Sequence, residues 1–306
     1  MKVLITGGAG FIGSNIADAL IANKHKVVAL DNLSSGKKKN IDKKVKFYKA
    51  DIADAKKVAE IFKKEKPEIV IHNAAQIDVR KSVEDPSFDA KVNILGSINI
   101  LSACVENKVR KIIFASSGGT IYGECAGKAP NEHTIPNPLS PYGIAKHSVE
   151  NYIKFYSAIH GLNYTILRYG NVYGPRQDPH GEAGVVAIFA QRMLNNEPIA
   201  VFGDGKQMRD YVFVGDVVNA NIKSLTKGSG ETINIGTQKT TSVNELVKYM
   251  AAFSGYKQKA VYKAKRDGEL FRNLLDISKA KKVLNWKPSV DIKTGVAKTI
   301  EYFKSL

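Results

Sequence analysis

A tyrosine and a lysine four residues apart, Tyr142 and Lys146, form the pair of side chains best suited to proton transfer. At positions i and i+4 of a helix they lie on one face, one turn apart. An ammonium group beside a phenol favours the phenolate and lowers the tyrosine pKa. A tyrosine with a lowered pKa is a competent general base for a hydroxyl group. The spacing therefore predicts Tyr142 as a base and Lys146 as the group that tunes it.

Three hydroxyl groups, those of Ser116, Ser117 and Thr120, stand at the end of a predicted strand upstream of this helix. Ligands of parallel sheets bind at the carboxyl ends of the strands, so a hydroxyl placed there can orient both a substrate oxygen and Tyr142. The sequence leaves open which of the three has this role, or whether Tyr142 acts without such help.

A glycine-rich turn with the sequence TGGAGFIG occupies Thr6–Gly13, between a predicted strand and a predicted helix. Gly7 and Gly10 allow a tight turn and a close approach of the backbone to a pyrophosphate, and Gly13 allows the helix to pack near the sheet. The helix offers free N–H groups and its positive dipole end to phosphates. This arrangement predicts a dinucleotide site.

Two carboxylates support the dinucleotide interpretation, because each ends a predicted strand. Asp31, 18 residues after Gly13, is placed to accept hydrogen bonds from an adenosine ribose, and Asp51 is placed to meet the adenine. A carboxylate at Asp31 repels the additional phosphate of NADP and favours NAD, although the lysines at 37–39 are close in sequence. Asn93, in a later helix, is a candidate to fix the backbone at the end of the fourth strand.

Short apolar runs alternate with amphipathic segments through the first half of the chain. The predicted strands are Lys2–Thr6, Lys26–Asp31, Val45–Asp51, Glu68–Asn73, Lys111–Ser116 and Tyr164–Tyr169. The predicted helices between them include Gly13–Asn23, Ala53–Lys64 and Phe88–Glu106. Strands that alternate with helices form βαβ units, so the pattern predicts an α/β fold with a doubly wound parallel sheet of the Rossmann type.

The regular alternation of strands and helices ends after this half. A segment rich in Gly and Pro follows, which is interpreted as a long loop. Helices are predicted at Val185–Leu194, Val243–Ser254 and Ser278–Leu284. The TINIG segment at 232–236 is placed with the last of these helices in a smaller lobe. We therefore predict a dinucleotide-binding domain at 1–170 and a mixed α/β lobe at 171–306 that binds substrate, with segments that can return to the first domain.

Composition and charge argue against several other classes of function. The formal net charge is +17, but 38 of the 46 basic residues are scattered lysines, whereas a nucleic-acid-binding surface concentrates Arg and aromatic residues. No apolar run reaches the roughly 20 residues of a membrane span, and the first residues lack the apolar core of a signal peptide. We expect a cytoplasmic protein without nucleic-acid or membrane partners.

Cysteines and histidines show no spacing typical of a disulfide framework or a metal site. The two cysteines, Cys104 and Cys125, do not form a CxxC pair, and the six histidines are scattered. We therefore expect neither a disulfide nor a metal.

The motifs taken together resemble those of the UDP-glucose 4-epimerases, sugar-nucleotide enzymes of the extended short-chain dehydrogenase/reductase family. The resemblance spans nearly the whole chain in the same order, through TGGAGFIGSN, NAAQ, SSGGTIYGE, SPYGIAK, LRYGNVYGPRQ and RDYVFV. It implies that Tyr142 is the base and that Lys146 holds the ribose and tunes Tyr142. It also implies that NAD is bound by Gly7, Gly10, Phe11, Ile12, Gly13, Asp31, Asn32, Asp51, Ile52, Ala74, Ala75, Gln76, Asn93, Ser116, Tyr142, Lys146 and Tyr169.

The same resemblance implies where the substrate lies. Its contacts would come from Ser117, Asn171, Val185, Val201, Phe202, Arg209, Tyr211, Arg266 and Glu269. Residues 201–202 fall where the family holds uracil, and Arg209 and Arg266 fit a clamp on the diphosphate. The alternative for the two arginines is ion pairing with the neighbouring Asp210 and Asp267.

Two positions depart from the family pattern. Gly118 stands where many epimerases have the catalytic serine, which leaves Ser117 or Thr120 for that role. Asn273 stands where some members have a bulky tyrosine that narrows the hexose pocket. We therefore expect tolerance of N-acetylhexosamines.

The activity implied is epimerisation at C4 between UDP-glucose and UDP-galactose, through a transient 4-keto sugar with NAD bound throughout. A 4,6-dehydratase or a decarboxylase is the close alternative, but dehydratases usually carry an Asp-Glu pair where this chain has Gly118 and Gly119. A non-catalytic NAD-binding protein is a remote alternative, because the tyrosine and lysine pair is intact. Related enzymes pair helices such as Phe88–Glu106 and Tyr142–His160 in a dimer, so we expect a homodimer.

Overall fold

A seven-stranded parallel sheet forms the centre of the computed structural model, which describes residues 1–124, 127–180, 184–265 and 270–306. The strands are β1 (Lys2–Thr6), β2 (Lys26–Asp31), β3 (Lys46–Lys49), β4 (Ile69–His72), β5 (Lys111–Ser117), β6 (Asn163–Tyr169), β7 (Asn171–Tyr173), β8 (Ala200–Phe202), β9 (Met208–Arg209), β10 (Tyr211–Phe213), β11 (Glu231–Ile235), β12 (Thr241–Ser242) and β13 (Val261–Lys263). The sheet order is β11-β6-β5-β4-β1-β2-β3, so the switch point lies between β1 and β4. The predicted doubly wound sheet is confirmed.

Helices cover both faces of this sheet and build the second unit. They are α1 (Phe11–Ala22), α2 (Ala55–Glu65), α3 (Val79–Glu84), α4 (Pro86–Ala90), α5 (Gly96–Glu106), α6 (Gly118–Ile121), α7 (Pro141–His160), α8 (Val185–Leu194), α9 (Val214–Ser224), α10 (Val243–Ser254), α11 (Ser278–Leu284) and α12 (Ile292–Lys304). A 3₁₀ turn lies at Lys38–Asn40, and a π-helical turn at Lys91–Leu95 joins α4 to α5. The three helices predicted after residue 170 begin and end as expected.

Successive residues of each strand pack on opposite faces of the sheet, which explains why the strands are apolar throughout. In β1, Ile5 packs in a core with Ile16 of α1 and with Trp286. Its neighbour Leu4 packs in a second core with Phe62 of α2. All five side chains are fully buried. The two cores fix the sheet and bring the carboxyl ends of β1, β4 and β5 to one edge.

A segment beyond residue 170 returns to this sheet as β11. The strand Glu231–Ile235 pairs in parallel with β6, and α11 packs against it. The placement of TINIG and Ser278–Leu284 in the smaller lobe is therefore wrong, because the apolar Ile233 and Ile235 are buried by pairing beside β6. The segment interpreted as a long loop also differs, since it begins with β7, which pairs with β10. A boundary at residue 170 stays a prediction.

The second unit surrounds a separate apolar core formed by α8, α10 and α12 with the short strands β7, β8 and β10. Phe189 of α8, Leu246 of α10 and Ile300 of α12 meet in this core. The helix α10 begins at a capping box, in which Ser242 and Glu245 each bond the other's backbone N–H. This unit carries β8 and β9, which hold the predicted uracil and diphosphate contacts.

One helical stretch, Pro86–Glu106, is long and apolar enough to span a membrane by length and composition, which corrects the expectation that no such run exists. Its apolar window is 44% buried, and its helices pack against α2 and α7. A helix in the core of a folded domain has the same length and composition, and this stretch packs as such a helix.

Candidate active site

The glycine turn between β1 and α1 has the geometry expected of a phosphate-binding loop. Gly7 has a φ of +69°, and a Cβ there would lie 2.8 Å from the backbone N of Ala74. A Cβ on Gly13 would lie 2.1 Å from the Gly7 carbonyl oxygen, so α1 approaches the turn as closely as glycine permits. A Cβ on Gly10 would meet only the Gly7 carbonyl oxygen among the described residues, at 3.2 Å. The turn is thus packed on one side and open at Gly10.

The N-terminus of α1 is suited to an anion. Gly10 is its N-cap, and within the described part of the chain no side chain caps the helix and no acidic residue lies in its first turn. Phe11 and Ile12 begin the helix and are partly buried against different cores. The first N–H groups of a helix have no intrahelical partner, and the dipole adds positive potential there. These residues fit the diphosphate of a dinucleotide.

The Asp31 carboxylate ties the glycine turn to the end of β2. It is 6% exposed and accepts hydrogen bonds from the backbone N of Ala9 at 2.9 Å and of Leu33 at 2.8 Å. The neighbouring Asn32 amide donates to Asp51 at 2.9 Å. The structure therefore brings together the strand-end groups predicted for the ribose and adenine, while Ile52 beside them is buried.

A reciprocal amide clamp fixes the backbone that follows β4. The Gln76 backbone N donates to Asn93 Oδ1 at 2.8 Å, and Asn93 Nδ2 donates to the Gln76 carbonyl at 2.9 Å. The predicted role of Asn93 at this strand end is confirmed. Asp89, one helical turn earlier, joins the clamp by accepting from Gln76 Nε2 and from Asn93 Nδ2, both at 2.9 Å. Sequence reasoning missed Asp89, although its four-residue spacing from Asn93 places both on one helix face.

A buried hydrogen-bond chain through His72 supports the same strand end. Its Nδ1 lies 2.6 Å from Thr6 Oγ1 and its Nε2 lies 2.8 Å from Ser97 Oγ. The backbone N of Ala74 donates to the same Thr6 oxygen at 3.2 Å. Burial, together with the charge of Lys146, lowers the pKa of His72 to about 3. The imidazole is therefore neutral and serves to hold β1, β4 and α5 in register.

The catalytic helix α7 begins at an N-cap, Ser140, whose hydroxyl accepts from the backbone N of Gly143. Six residues into the helix, Lys146 is 4% exposed and donates from Nζ to the Ala115 carbonyl at 2.9 Å. The same Nζ lies 5.7 Å from the centre of the Tyr142 ring. Burial lowers the pKa of Lys146 to about 8, against the opposing charges of nearby carboxylates. The predicted pairing of a lysine and a tyrosine one turn apart is confirmed.

The pKa of the Tyr142 phenol is shifted in the direction opposite to the predicted one. Burial raises it, the Asp89 carboxylate raises it further, and the Ser117 hydroxyl opposes both. The predicted net lowering of the Tyr142 pKa is therefore wrong for the protein's own groups. The physical reason is that desolvation disfavours the phenolate and that a negative charge lies on the neighbouring helix.

The three candidate hydroxyls point to different places, because Ser116 and Ser117 are successive residues of β5 that face opposite sides and Thr120 lies in α6. Ser116 Oγ donates to Glu150 at 2.6 Å on the buried side, and a contact of Ser116 with a cofactor stays a prediction. Thr120 Oγ1 is buried without a hydrogen-bond partner among the described residues. The Ser117 hydroxyl acts to lower the pKa of Tyr142. Ser117 therefore stays the candidate partner of the base.

Several substrate candidates lie close to the backbone of Gly119. A Cβ there would lie 3.7 Å from Ser117 Oγ and 3.8 Å from Asn171 Oδ1. Asn273 donates to the Gly119 carbonyl at 3.1 Å. The side-chain oxygens of Asn171 and Asn273 are both buried without a hydrogen-bond partner in the described part of the protein. Unpaired buried acceptors are costly unless a ligand or water donates to them.

The remaining substrate candidates lie in or beside the core of the second unit, or outside the described residues. Val201 and Tyr211 are buried in the core of the second unit, whereas Phe202 and Val185 are partly exposed at its surface. Arg209 donates from Nη1 to the Met208 carbonyl at 3.0 Å. Arg266 and Glu269 lie outside the described residues, as does the predicted ion-pair partner Asp267.

Three further expectations concern side chains near these groups. The Asp210 carboxylate is buried. It accepts hydrogen bonds from the backbone N and the hydroxyl of Thr237, at 2.7 and 2.6 Å, and not from its neighbour Arg209. The Tyr169 hydroxyl accepts from Asn221 at 2.8 Å, and its contact with a cofactor stays a prediction. No cluster of three metal-ligating side chains exists among the described residues.

The parallel sheet, the glycine turn at its switch point and the paired Tyr142 and Lys146 define a dinucleotide-dependent enzyme of the short-chain dehydrogenase/reductase class. The model of the NAD dependent epimerase/dehydratase family matches residues 3–236, and the chain belongs to this family. Its cofactor is NAD, for which the residues of the glycine turn and Asp31 provide the fit described above.

Similar proteins extend this assignment over the full length. The UDP-glucose 4-epimerase of Mycolicibacterium smegmatis is 43% identical over 311 residues, covering 100% of this chain and 99% of the relative. The crystal structure of UDP-glucose 4-epimerase from Thermotoga maritima with UDP-glucose has 50% identity and a TM-score of 0.98, covering 100% of this chain and 99% of that one. The UDP-N-acetylglucosamine 4-epimerase of Methanobrevibacter ruminantium has 36% identity and a TM-score of 0.93, covering 99% and 98%.

Proposed function

We propose that the chain is an NAD-dependent epimerase that interconverts UDP-glucose and UDP-galactose at C4, a reaction of galactose metabolism. The observation that carries the proposal is the pairing of Tyr142 with Lys146 one helical turn apart, in which the buried Lys146 Nζ lies 5.7 Å from the centre of the Tyr142 ring. Ser117 ends β5 at the carboxyl edge of the sheet, the edge that also carries the glycine turn predicted to receive NAD. The full-length similarity to enzymes of this name supports the same activity.

The chain's own residues account for the proton transfers and the positioning. When bound at the glycine turn, NAD supplies a reversible hydride acceptor for C4 of the sugar. Tyr142 takes the proton of the C4 hydroxyl, and Ser117 bonds the same oxygen atoms and keeps them aligned. Lys146, which is buried and mostly protonated below pH 8, stabilises the phenolate that accepts this proton. The 4-keto sugar then turns in the pocket; the bound cofactor would return the hydride to the opposite face of C4, and Tyr142 returns the proton to the C4 oxygen.

The side chains around the sugar space favour epimerisation over dehydration. Expulsion of a C6 hydroxyl needs a carboxylic acid close to the sugar. The atoms around Gly119 are instead the Ser117 hydroxyl and the Asn171 amide oxygen, both neutral. A dehydratase or decarboxylase activity is therefore the less supported alternative.

Acceptance of N-acetylhexosamines is part of the proposal. Asn273 is small and buried, and it borders the same sugar space through its bond to the Gly119 carbonyl. Its unpaired Oδ1 can accept a hydrogen bond from an acetamido N–H. The similarity to the Methanobrevibacter ruminantium enzyme, named for UDP-N-acetylglucosamine, supports this extension.

Exposed apolar side chains on the helices α5 and α7 support the proposal of a homodimer. Leu95, just before α5, and Ile144, Phe155 and Ile159 on α7 are all more than half exposed. A second copy that pairs the same helices would remove these side chains from water. We also propose that the enzyme works in the cytoplasm, where UDP-sugars of this kind are used.

The direct test is to incubate the purified protein with UDP-glucose, without added cofactor, and to measure UDP-galactose. Tyr142→Phe should lower kcat by about 10²–10⁴-fold, the usual contribution of a general base, and should still retain NAD. UDP-N-acetylgalactosamine is assayed in parallel. Formation of a 4-keto-6-deoxy sugar, or turnover that survives in Tyr142→Phe, would refute the proposed function.

A further inference from the structure

Residues 271–275, called the pocket segment below, are fixed to the second unit through their backbone. The backbone N of Met208 donates to the Phe271 carbonyl at 2.8 Å, and the backbone N of Asn273 donates to the Met208 carbonyl at 3.0 Å. Further along, the backbone N of Leu275 donates to Asp210 at 3.3 Å. These bonds leave the backbone N–H groups of Phe271 and Arg272 to be satisfied by another part of the chain.

The Glu124 carboxylate accepts from both of these N–H groups, although it lies 147 positions before Phe271 in the chain. Its Oε2 accepts from the backbone N of Phe271 at 2.8 Å, and its Oε1 accepts from the backbone N of Arg272 at 2.9 Å. Each carboxylate oxygen therefore takes one bond. A side-chain amide has a single acceptor oxygen, so Gln cannot reproduce the pair. Bonds to an ionised acceptor are also the stronger kind.

The turn that carries Glu124 is itself held in place. It follows α6, where the Ile121 carbonyl accepts from the backbone N of Asn137 at 2.9 Å. Gly123 has a φ of +69°, and a Cβ there would lie 2.5 Å from the Asn137 carbonyl oxygen. The main chain directly before Glu124 is thus packed against residue 137. The carboxylate, although exposed, extends from a fixed backbone and can serve as an anchor.

The pocket segment carries side-chain contacts to the candidate site. Asn273 Nδ2 donates to the Gly119 carbonyl at 3.1 Å, and Asn273 Oδ1 is buried without a hydrogen-bond partner among the described residues. The Phe271 carbonyl also accepts from Nη1 of Arg209 at 3.4 Å. A displacement of the backbone that Glu124 holds would therefore move the amide predicted to meet the sugar, together with a contact of the arginine predicted to meet the diphosphate.

We propose that Glu124 is a positioning residue for sugar specificity. Its two backbone bonds hold the pocket segment so that Asn273 presents Oδ1 to the acetamido group of an N-acetylhexosamine. Glu124 acts through the backbone of Phe271 and Arg272 and touches neither the sugar nor the cofactor. The inference rests on the proposed function for the identity of the ligand, whereas the hold on the segment is testable without any ligand.

Hydrogen exchange measures this hold directly. Glu124→Ala removes both acceptor oxygens, and Glu124→Gln leaves one. In the NAD-loaded proteins, peptides that cover residues 271–275 are followed by mass spectrometry. The amides of Phe271 and Arg272 should exchange about tenfold faster or more in Glu124→Ala, because each loses a bond to an ionised group. Glu124→Gln should give an intermediate rate.

Binding of two UDP-sugars measures the consequence for specificity. Dissociation constants for UDP-galactose and UDP-N-acetylgalactosamine are obtained by titration calorimetry in a Tyr142→Phe background, which prevents turnover. In Glu124→Ala their ratio should shift about fivefold against the N-acetylated sugar, because only this sugar uses Asn273 Oδ1. Both ligands carry the same diphosphate. The lost negative charge and any movement of Arg209 therefore affect both alike and cancel in the ratio.

Asp291→Ala is the matched control. The Asp291 carboxylate is exposed at the N-cap of α12 and also accepts from two backbone N–H groups, those of Lys293 at 2.9 Å and Thr294 at 3.1 Å. Its removal costs stability through the same kind of bond, as the loss of a helix cap does. Neither the exchange of the pocket segment nor the ratio of dissociation constants should change in this variant.

Faster exchange and a shifted ratio in Glu124→Ala, with both unchanged in Asp291→Ala, would support the inference. An unchanged exchange rate, an unchanged ratio, or the same shift in Asp291→Ala would overturn it. If Glu124→Ala does not fold, Glu124→Gln decides by the same criteria. A shifted ratio in a protein whose Tyr142 form epimerises neither sugar would refute only the proposed function.

Discussion

Arg168 and Glu150 form a buried ion pair that joins strand β6 to the catalytic helix α7 one turn beyond Lys146. Arg168 Nε donates to Glu150 Oε1 at 2.8 Å, and a second guanidinium nitrogen donates to the other carboxylate oxygen. Ser116 donates to the same carboxylate. Because Glu150 is fully buried and Lys146 lies four residues before it, the pair fixes the rotation of the helix that presents Tyr142.

Removal of one member of this pair should destabilise the fold. Glu150→Gln leaves the Arg168 guanidinium buried without its counter-charge, which typically costs about 3–5 kcal/mol in the free energy of unfolding. Denaturant unfolding measures the loss. Glu301→Gln, at an exposed position of α12, is the matched control and should change stability by no more than about 0.5 kcal/mol. Equal effects of the two substitutions would show that the ion pair does not hold the helix.

The stabilising effect of Glu150 should depend on pH in a defined window. Burial alone would raise its pKa, but the bonds from Arg168 outweigh burial and lower it to about 2, against an ordinary value of 4.5. A carboxylate with a lowered pKa stabilises the fold fully above 4.5, and the effect is lost as the pH falls from 4.5 towards 2. The difference in unfolding free energy between the unaltered protein and Glu150→Gln should therefore be constant at neutral pH and shrink in this window. A difference that is flat down to pH 3 would contradict the assignment.

The sequence was sufficient to predict the sheet, the glycine turn and the Tyr142 and Lys146 pair, because each depends on spacing within one segment. It was insufficient for β11, since a period of two residues indicates a strand but not the strand with which it pairs. It was also insufficient for the pKa of Tyr142, which depends on burial and on Asp89, a residue 53 positions earlier in the chain. Contacts between distant segments decide electrostatics, and local patterns do not contain them.

Ser117, and not Ser116 or Thr120, should be the hydroxyl that assists the base. Ser117→Ala removes the hydroxyl that we propose to bond the reacting oxygens, so kcat should fall roughly tenfold while NAD stays bound. Thr120→Val is nearly isosteric and removes a hydroxyl that has no hydrogen-bond partner among the described residues. The kcat of this variant should therefore fall less than that of Ser117→Ala. The measurement is the initial rate of UDP-galactose formation at saturating UDP-glucose. A larger loss in the Thr120 variant would reverse the assignment of the two hydroxyls.

Asn273 should set the size of the sugar that the site accepts. The residue is 1% exposed and borders the sugar space through the carbonyls of Gly118 and Gly119, so a larger side chain must project into that space. Asn273→Tyr should lower kcat/KM for UDP-N-acetylgalactosamine by roughly 10²-fold relative to UDP-galactose, since the acetyl group then meets the ring. UDP-galactose turnover in the same variant serves as the internal control for folding. Asn273→Ala, which leaves the space open but removes the acceptor oxygen, should retain the N-acetylated substrate with a smaller loss. If Asn273→Tyr handles both sugars with the unaltered ratio, the acetyl group lies elsewhere in the pocket and Asn273 does not determine specificity.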